Sequence, residues 1–260
     1  MNDFFAMLLL ALVQGIAEWF PISSSGHLVF VSHFLGYENS LSFDVALHFG
    51  TLMAVFVYFG RDISDIVRDV ARLRFKTEHG RMGLYLIIAT IPAAFFGFLF
   101  HDFFERTLNN LMPLAFGFGI TGVMLIISSM DFSFSRTKEL TPFAALIIGC
   151  AQVASLFRGI SRSGSTMCAG VLLGLDQKKA ARFSFLLSIP IILGANFLSF
   201  GNATLPLSYL VPSLVSFVVG LLTIHILLRF ILTSKKNLRW FGYYALALAC
   251  ALLVWLFFFQ

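Results

Sequence analysis

The sequence predicts an all-α integral membrane protein, an inverted-topology repeat in which each half is a re-entrant helix hairpin followed by three transmembrane helices. Three observations carry this: a composition suited to lipid, a polar break that occurs twice, and basic residues that gather on one side of the spans. Of the 260 residues 58% are hydrophobic and only 12% charged, with a mean hydropathy of +0.89. A soluble domain is about one-quarter charged, so no soluble core hides this much apolar surface. The chain reads as one polytopic membrane domain, residues 1–260. The short alternating segments of a membrane barrel are absent.

Shifting the sequence by 138 residues aligns its two most unusual segments without a gap. Gln14 falls on Gln152, Pro21-Ile22-Ser23-Ser24-Ser25-Gly26 on Gly159-Ile160-Ser161-Arg162-Ser163-Gly164, and Leu35-Gly36 on Leu173-Gly174. This match divides the chain into repeat 1, about 1–131, and repeat 2, about 139–260. In each repeat an apolar helix runs into the break (4–20 and 141–157) and a short apolar piece follows (23–35 and 161–173). The second pieces are too short to cross about 30 Å of hydrocarbon, so each pair is expected to enter and leave by one face. The spans expected next are 43–60, 82–100 and 113–130, then 183–200, 207–231 and 241–258.

Basic residues give the orientation. With the N-terminus outside, 15 of the 18 Lys and Arg fall on the cytoplasmic side, as the positive-inside rule requires. Only Arg106 falls outside, and Arg158 and Arg162 lie at the second break. Three spans per half then place the halves in opposite orientation and both termini outside, with the hairpin tips meeting near the midplane, where such folds bind their ligands. The net charge of +5 follows from these loops, so nucleic acid is excluded as a partner. Residues 61–81 read as a solvated segment suited to an amphipathic helix on anionic headgroups of the membrane lipids. Cys150, Cys168 and Cys250 lack metal-ligand spacing and read as small buried hydrophobes, not a disulfide framework. The N-terminal apolar run has only Asp3 before it and no Lys or Arg, so it is expected to stay in the mature protein.

Several residues do not belong in hydrocarbon. Glu18 lies one helical turn from Gln14, and His27 follows Ser23-Ser24-Ser25-Gly26. Arg158, Ser161, Arg162, Ser163, Ser165 and Thr166 cluster at the other break. A charged residue at a helix centre costs about 2.5–3.5 kcal/mol on insertion scales, so Glu18 and Arg162 require a partner or a hydrated cavity. Hydroxyls, a guanidinium and freely placed backbone N–H groups at a helix start suit phosphate, and Arg can bind two of its oxygens at once. The nucleotide P-loop pattern is absent. On the facing hairpin, Glu18 and His27 offer a carboxylate and an imidazole able to bind a divalent cation, activate water, or form a phosphoenzyme. An anion cradle facing an acid/base pair inside a bilayer points to phosphoryl transfer on a lipid. A lipid-phosphate flippase or other inverted-repeat transporter is the alternative. Asp44 and His48, at i and i+4, are expected to make a helix-surface hydrogen bond, and Asn196 to join helices.

Across essentially its whole length the chain resembles the undecaprenyl-diphosphate phosphatase (bacitracin-resistance protein) family. Its first motif is similar to Gln14-Gly15-Ile16-Ala17-Glu18, continuing into Pro21-Ile22-Ser23-Ser24-Ser25-Gly26-His27. Its second, Pro-Gly-x-Ser-Arg-Ser-x-x-Thr, is similar to Arg158-Gly159-Ile160-Ser161-Arg162-Ser163-Gly164-Ser165-Thr166. The resemblance implies hydrolysis of undecaprenyl diphosphate to undecaprenyl phosphate and phosphate, recycling the carrier lipid for cell-wall synthesis in the bacterial cytoplasmic membrane. It implies a divalent metal, Mg²⁺ or Ca²⁺, with Glu18 and Gln14 as metal ligands, a site open to the periplasmic face, and a homodimer. By matching position, Glu18, Ser24, His27, Ser161, Arg162, Ser163 and Thr166 form the functional set, with Glu18, Ser24, His27 and Arg162 catalytic; Ser161, Ser163 and Thr166, together with Ser23, Ser25, Gly26 and Gly164 of the same two breaks, are expected to bind substrate. The sequence departs from the family at Gln14, the neutral variant of its position, and at Arg158, which stands where the motif has proline.

Overall fold

The computed structural model describes residues 3–38, 40–100, 103–104, 111–131, 139–199 and 206–259, with no side-chain description for 197–199. Arg106, Arg136 and Lys138, used above for orientation, lie outside the described residues. Regular structure among the described residues is helical throughout. In chain order the helices are α1 (Asp3–Ala17), α2 (Ser24–Leu35), α3 (Leu41–Tyr58), α4 (Gly60–Ala71), α5 (Glu78–Leu99), α6 (Leu111–Ser129), α7 (Pro142–Val153), α8 (Arg162–Leu172), α9 (Gln177–Ser199), α10 (Leu210–Ile226) and α11 (Leu238–Phe259).

The helix starts follow from local chemistry. Ser23 caps α2 by accepting the Gly26 N–H, and Ser161 caps α8 by accepting the Gly164 N–H. These serines and glycines are the same pairs that the repeat aligns. Ser40, Thr77 and Thr141 cap α3, α5 and α7 in the same way, and Pro142 occupies the first turn of α7, where its missing N–H costs nothing. Gly36 ends α2 in the left-handed region at φ 62°. A five-residue π turn, Leu227–Ile231, extends α10.

Among the described residues five helical stretches are long and apolar enough to cross a membrane: 41–58, 78–99, 111–129, 207–231 and 235–259. Each matches an expected span within a few residues. The remaining expected span, 183–200, coincides with α9. That helix is 23 residues long, but it opens on Gln177, Lys178, Lys179 and Arg182 and buries Ser184, Ser188 and Asn196. Polar groups facing inward make it the least apolar of the long helices. α2 (12 residues) and α8 (11 residues) reach about 18 Å and 16 Å at 1.5 Å per residue, well short of a bilayer. α1 packs on α2, and α7 on α8, so each short helix folds back as a hairpin.

The helices also associate in pairs: α6 with α11, α3 with α10, and α5 with the shorter α7, while α1 also lies along α10. Gly122 and Gly242 bring α6 and α11 together, since a Cβ on either would sit 2.8–2.9 Å from the other's carbonyl oxygen. α4 is the amphipathic helix expected within 61–81; of its residues only Ile66 is buried. The main core gathers Trp19, Met167, Phe183, Phe185 and Leu186 around the two breaks, and leaves apolar side chains such as Phe98 and Phe257 facing outward.

Candidate active site

The two breaks meet. Glu18, just past the end of α1, and Arg162, the first residue of α8, form an ion pair with Oε1 and Nη2 2.6 Å apart, although 144 residues separate them. Their side chains are 6% and 13% exposed. Ser24 Oγ donates to Glu18 Oε2 at 2.6 Å, and Gln14 Nε2 donates to the same oxygen at 3.1 Å. Arg162 Nη1 donates to the Ser184 carbonyl at 3.1 Å, and its guanidinium lies 5.8 Å from the Trp19 ring centroid. Both charges are therefore compensated within the fold, as burial of a charge requires.

A cavity of about 290 Å³ opens on this pair. Its wall includes Glu18, Ser23, Ser24, Ser25, Ser161, Arg162 and Ser163 together with Asp44, His48, Arg158 and Asn196. The first turns of α2 and α8 both border it, so two helix N-termini, each the positive end of its dipole, share one space. Ser23 holds φ 71°, an unfavourable conformation for a residue with a Cβ. The second tip turns through Gly159 at φ 89°. Thr121 clamps that turn, donating to the Gly159 carbonyl at 2.9 Å and accepting the Ser161 N–H at 3.0 Å. Ser163 Oγ reaches the Phe20 carbonyl of the other hairpin at 3.1 Å.

Not every expected residue joins the site. His27 is turned away from Glu18. The Ser23 carbonyl can only accept, so His27 Nδ1 carries the proton of that 2.7 Å bond, and Nε2 accepts from the Tyr244 hydroxyl at 2.8 Å. With Phe118 against its ring edge, His27 has no nitrogen facing the cavity. His48 stands there instead. Its Nδ1 donates to the Asp44 carbonyl at 2.8 Å, which turns Nε2 toward the site, 3.7 Å from Glu18 Oε2. The i, i+4 hydrogen bond expected of Asp44 and His48 thus exists through the backbone oxygen, and it aims the imidazole at the site. Gly26 faces Phe118, whose ring a Cβ would meet at 2.7 Å, and Gly164 packs against Ser161 and Pro21; neither lines the cavity. Thr166 is also behind the wall, bonded to the Arg162 carbonyl at 2.8 Å and to Ser184 Oγ at 2.7 Å.

The expected metal pair, Glu18 and Gln14, is not arranged as one. Gln14 turns its amide nitrogen, a donor, toward Glu18, and both Glu18 oxygens already receive hydrogen bonds, one from a guanidinium. Among the described residues no three His, Cys, Asp or Glu side chains gather as a metal cage. These donors do not fit a resident Mg²⁺ or Ca²⁺.

Fold and site together define a multi-pass membrane protein with a polar, anion-suited cavity between two helix breaks. The sequence profile of the family described as "Bacitracin resistance protein BacA" matches residues 7–251, and the chain belongs to that family. An undecaprenyl-diphosphatase of Rubrobacter xylanophilus is 41% identical, covering 96% of this chain and 97% of its own. Proteins of the same name from Caldicellulosiruptor bescii (40% identical, 96% of each chain) and Alcanivorax borkumensis (40%, 98% of this chain and 99% of its own) are similarly close.

Proposed function

We propose that this protein is a membrane enzyme that hydrolyses undecaprenyl diphosphate to undecaprenyl phosphate and inorganic phosphate. The observation that carries the chemistry is the 2.6 Å contact from Ser24 Oγ to Glu18 Oε2, beside the Arg162 guanidinium. A short hydroxyl–carboxylate hydrogen bond is the arrangement of a nucleophile with its base.

In this reading the diphosphate enters from the membrane with its phosphates against the N-termini of α2 and α8, and Arg162 binds two oxygens of the terminal phosphate. Arg162 cannot grip phosphate and Glu18 fully at once, so substrate frees Glu18 Oε1. Ser24 then passes its proton to Glu18 as its Oγ attacks the terminal phosphorus. The bond to the bridging oxygen breaks, and its electrons leave with the lipid phosphate. Water hydrolyses the phosphoserine, returning the proton to Ser24. Ser23, Ser25, Ser161 and Ser163 donate to phosphate oxygens.

A divalent cation belongs to the proposal as a companion of the substrate. Mg²⁺ is commonly held by one or two carboxylates plus phosphate oxygens, and it would offset the diphosphate's charge; no step above passes through it. The inverted orientation of the halves, outside termini, an opening toward the periplasmic face and a homodimer also belong to this reading. The three long apolar helices between the two hairpins, an odd number, support the first, and the basic-residue pattern the next two; the homodimer rests on the resemblance alone.

The test is phosphate release from farnesyl diphosphate by purified protein in detergent, set beside lipid translocation in vesicles. Release abolished in Glu18→Gln supports the enzyme. Translocation with no release overturns it.

A further inference from the structure

We propose that Arg158 and Asn196 form a second phosphate subsite in the cavity, which takes the lipid-bearing phosphate while Ser24 and Arg162 take the terminal one. This rests on the hydrolase reading and deepens it.

The cavity holds two arginines in different states. Arg162 is committed on both sides, to Glu18 and to the Ser184 carbonyl. Arg158 lines the same cavity from the second hairpin tip; among the described residues its side chain has no hydrogen bond and no ion pair within 4 Å, and the charge it faces is Asp44 of the same wall. Asn196 reaches the wall from α9. It is only 7% exposed, and its buried Nδ2 has no acceptor. A buried donor normally has a partner, and one without calls for an explanation at a functional site.

A guanidinium and an amide N–H that both lack a hydrogen-bond acceptor ask for the same thing, an anionic oxygen. Glu18 and Asp44 balance Arg158 and Arg162 in formal charge around the cavity, so an anion is drawn by donors at particular points and not by a net positive field. A single phosphate on Ser24 and Arg162 leaves Arg158 and Asn196 unused; a diphosphate has a second phosphate to offer them. When the bridging bond breaks, the lipid phosphate gains negative charge, which Arg158 is placed to stabilise.

The experiment compares inorganic pyrophosphate with inorganic phosphate on the purified protein in detergent. Two readouts are used: competitive inhibition of farnesyl diphosphate hydrolysis, and protection against thermal unfolding. Arg158→Gln and Asn196→Ala are each expected to weaken pyrophosphate about tenfold or more, the effect of losing one charge-assisted hydrogen bond. Phosphate should stay within about twofold, which also shows that the variants are folded, and Arg158→Lys should restore part of the loss. Equal weakening of both ligands, or no weakening of pyrophosphate, overturns the subsite. If the wild-type protein releases no phosphate from farnesyl diphosphate, the hydrolase reading fails. Thermal protection then still decides the subsite, supporting it only if the pyrophosphate preference is present and lost in the variants.

Discussion

Replacing Arg162 by Gln leaves the Glu18 carboxylate 6% exposed with Ser24 and Gln14 as its remaining donors. Removing one partner of a buried ion pair costs about 3–5 kcal/mol, because the other charge stays behind uncompensated. At roughly 2–4 °C per kcal/mol for a chain near this size, the unfolding midpoint should fall by about 6–20 °C. Glu18→Gln should do similar damage by stranding Arg162. The double variant removes both charges and should recover to within about 1–2 kcal/mol of the parent, since replacing a whole buried pair is often close to neutral. Activity should not follow stability: all three variants should lose at least about 100-fold in phosphate release. Trp19, under the Arg162 guanidinium, gives the melt an intrinsic fluorescence signal. Single variants as stable as the parent, or a double variant that turns over, would show that the pair neither supports the fold nor serves the chemistry in this way.

Three further outcomes are expected. Ser24→Ala should reduce turnover at least about 100-fold while leaving protection by pyrophosphate in place; unchanged turnover would remove Ser24 as nucleophile. Isothermal titration should detect no Mg²⁺ or Ca²⁺ binding to the protein alone, because Glu18 is already occupied, and should detect it once a non-hydrolysable prenyl diphosphate analogue is bound. Tight binding without the analogue would show a resident metal. At the end of α6, a hydrogen bond from Lys235, joined by the charge of Lys236, holds the exposed Asp131 carboxyl below the usual carboxylate range. A lowered native value means its contribution is present above the ordinary aspartate range and lost as pH falls through the lowered one. Asp131→Asn should therefore flatten a small acid-side slope in stability, and salt should erase the difference.

Much of the fold is legible in the sequence because lipid imposes simple demands. A segment must be apolar, long enough to cross, and flanked by basic residues on one side, and the five long apolar helices meet these within a few residues. The duplicated break is legible because capping chemistry is local: Ser23 and Ser161 each need only a glycine N–H three residues on. The ion pair between Glu18 and Arg162 could be anticipated from the cost of leaving either alone. The histidine could not. His27 follows the serine-rich break, whereas His48 lies two turns into α3 between Leu47 and Phe49, and what decides between them is which way each ring turns. Tyr244, 217 residues from His27, holds one ring away, while the Asp44 carbonyl points the other inward. Thr166 and Gly164 look like ligand residues for the same reason that they pack well, being small and hydroxylated or lacking a Cβ. Only the close approach of α9 and the first hairpin assigns them to structure. Asn196 shows the reverse case, since a lone asparagine in a span gives no hint that its donor is left open.

In the proposed reaction Ser24, drawn onto Glu18 beside Arg162, attacks the terminal phosphate. The most direct test is rapid acid quench of the protein with farnesyl diphosphate labelled at the terminal phosphorus, followed by peptide mapping. Label on the peptide carrying Ser24, absent in Ser24→Ala, is the expected result. Phosphate release at the wild-type rate by Ser24→Ala, with no label on any peptide, would contradict it.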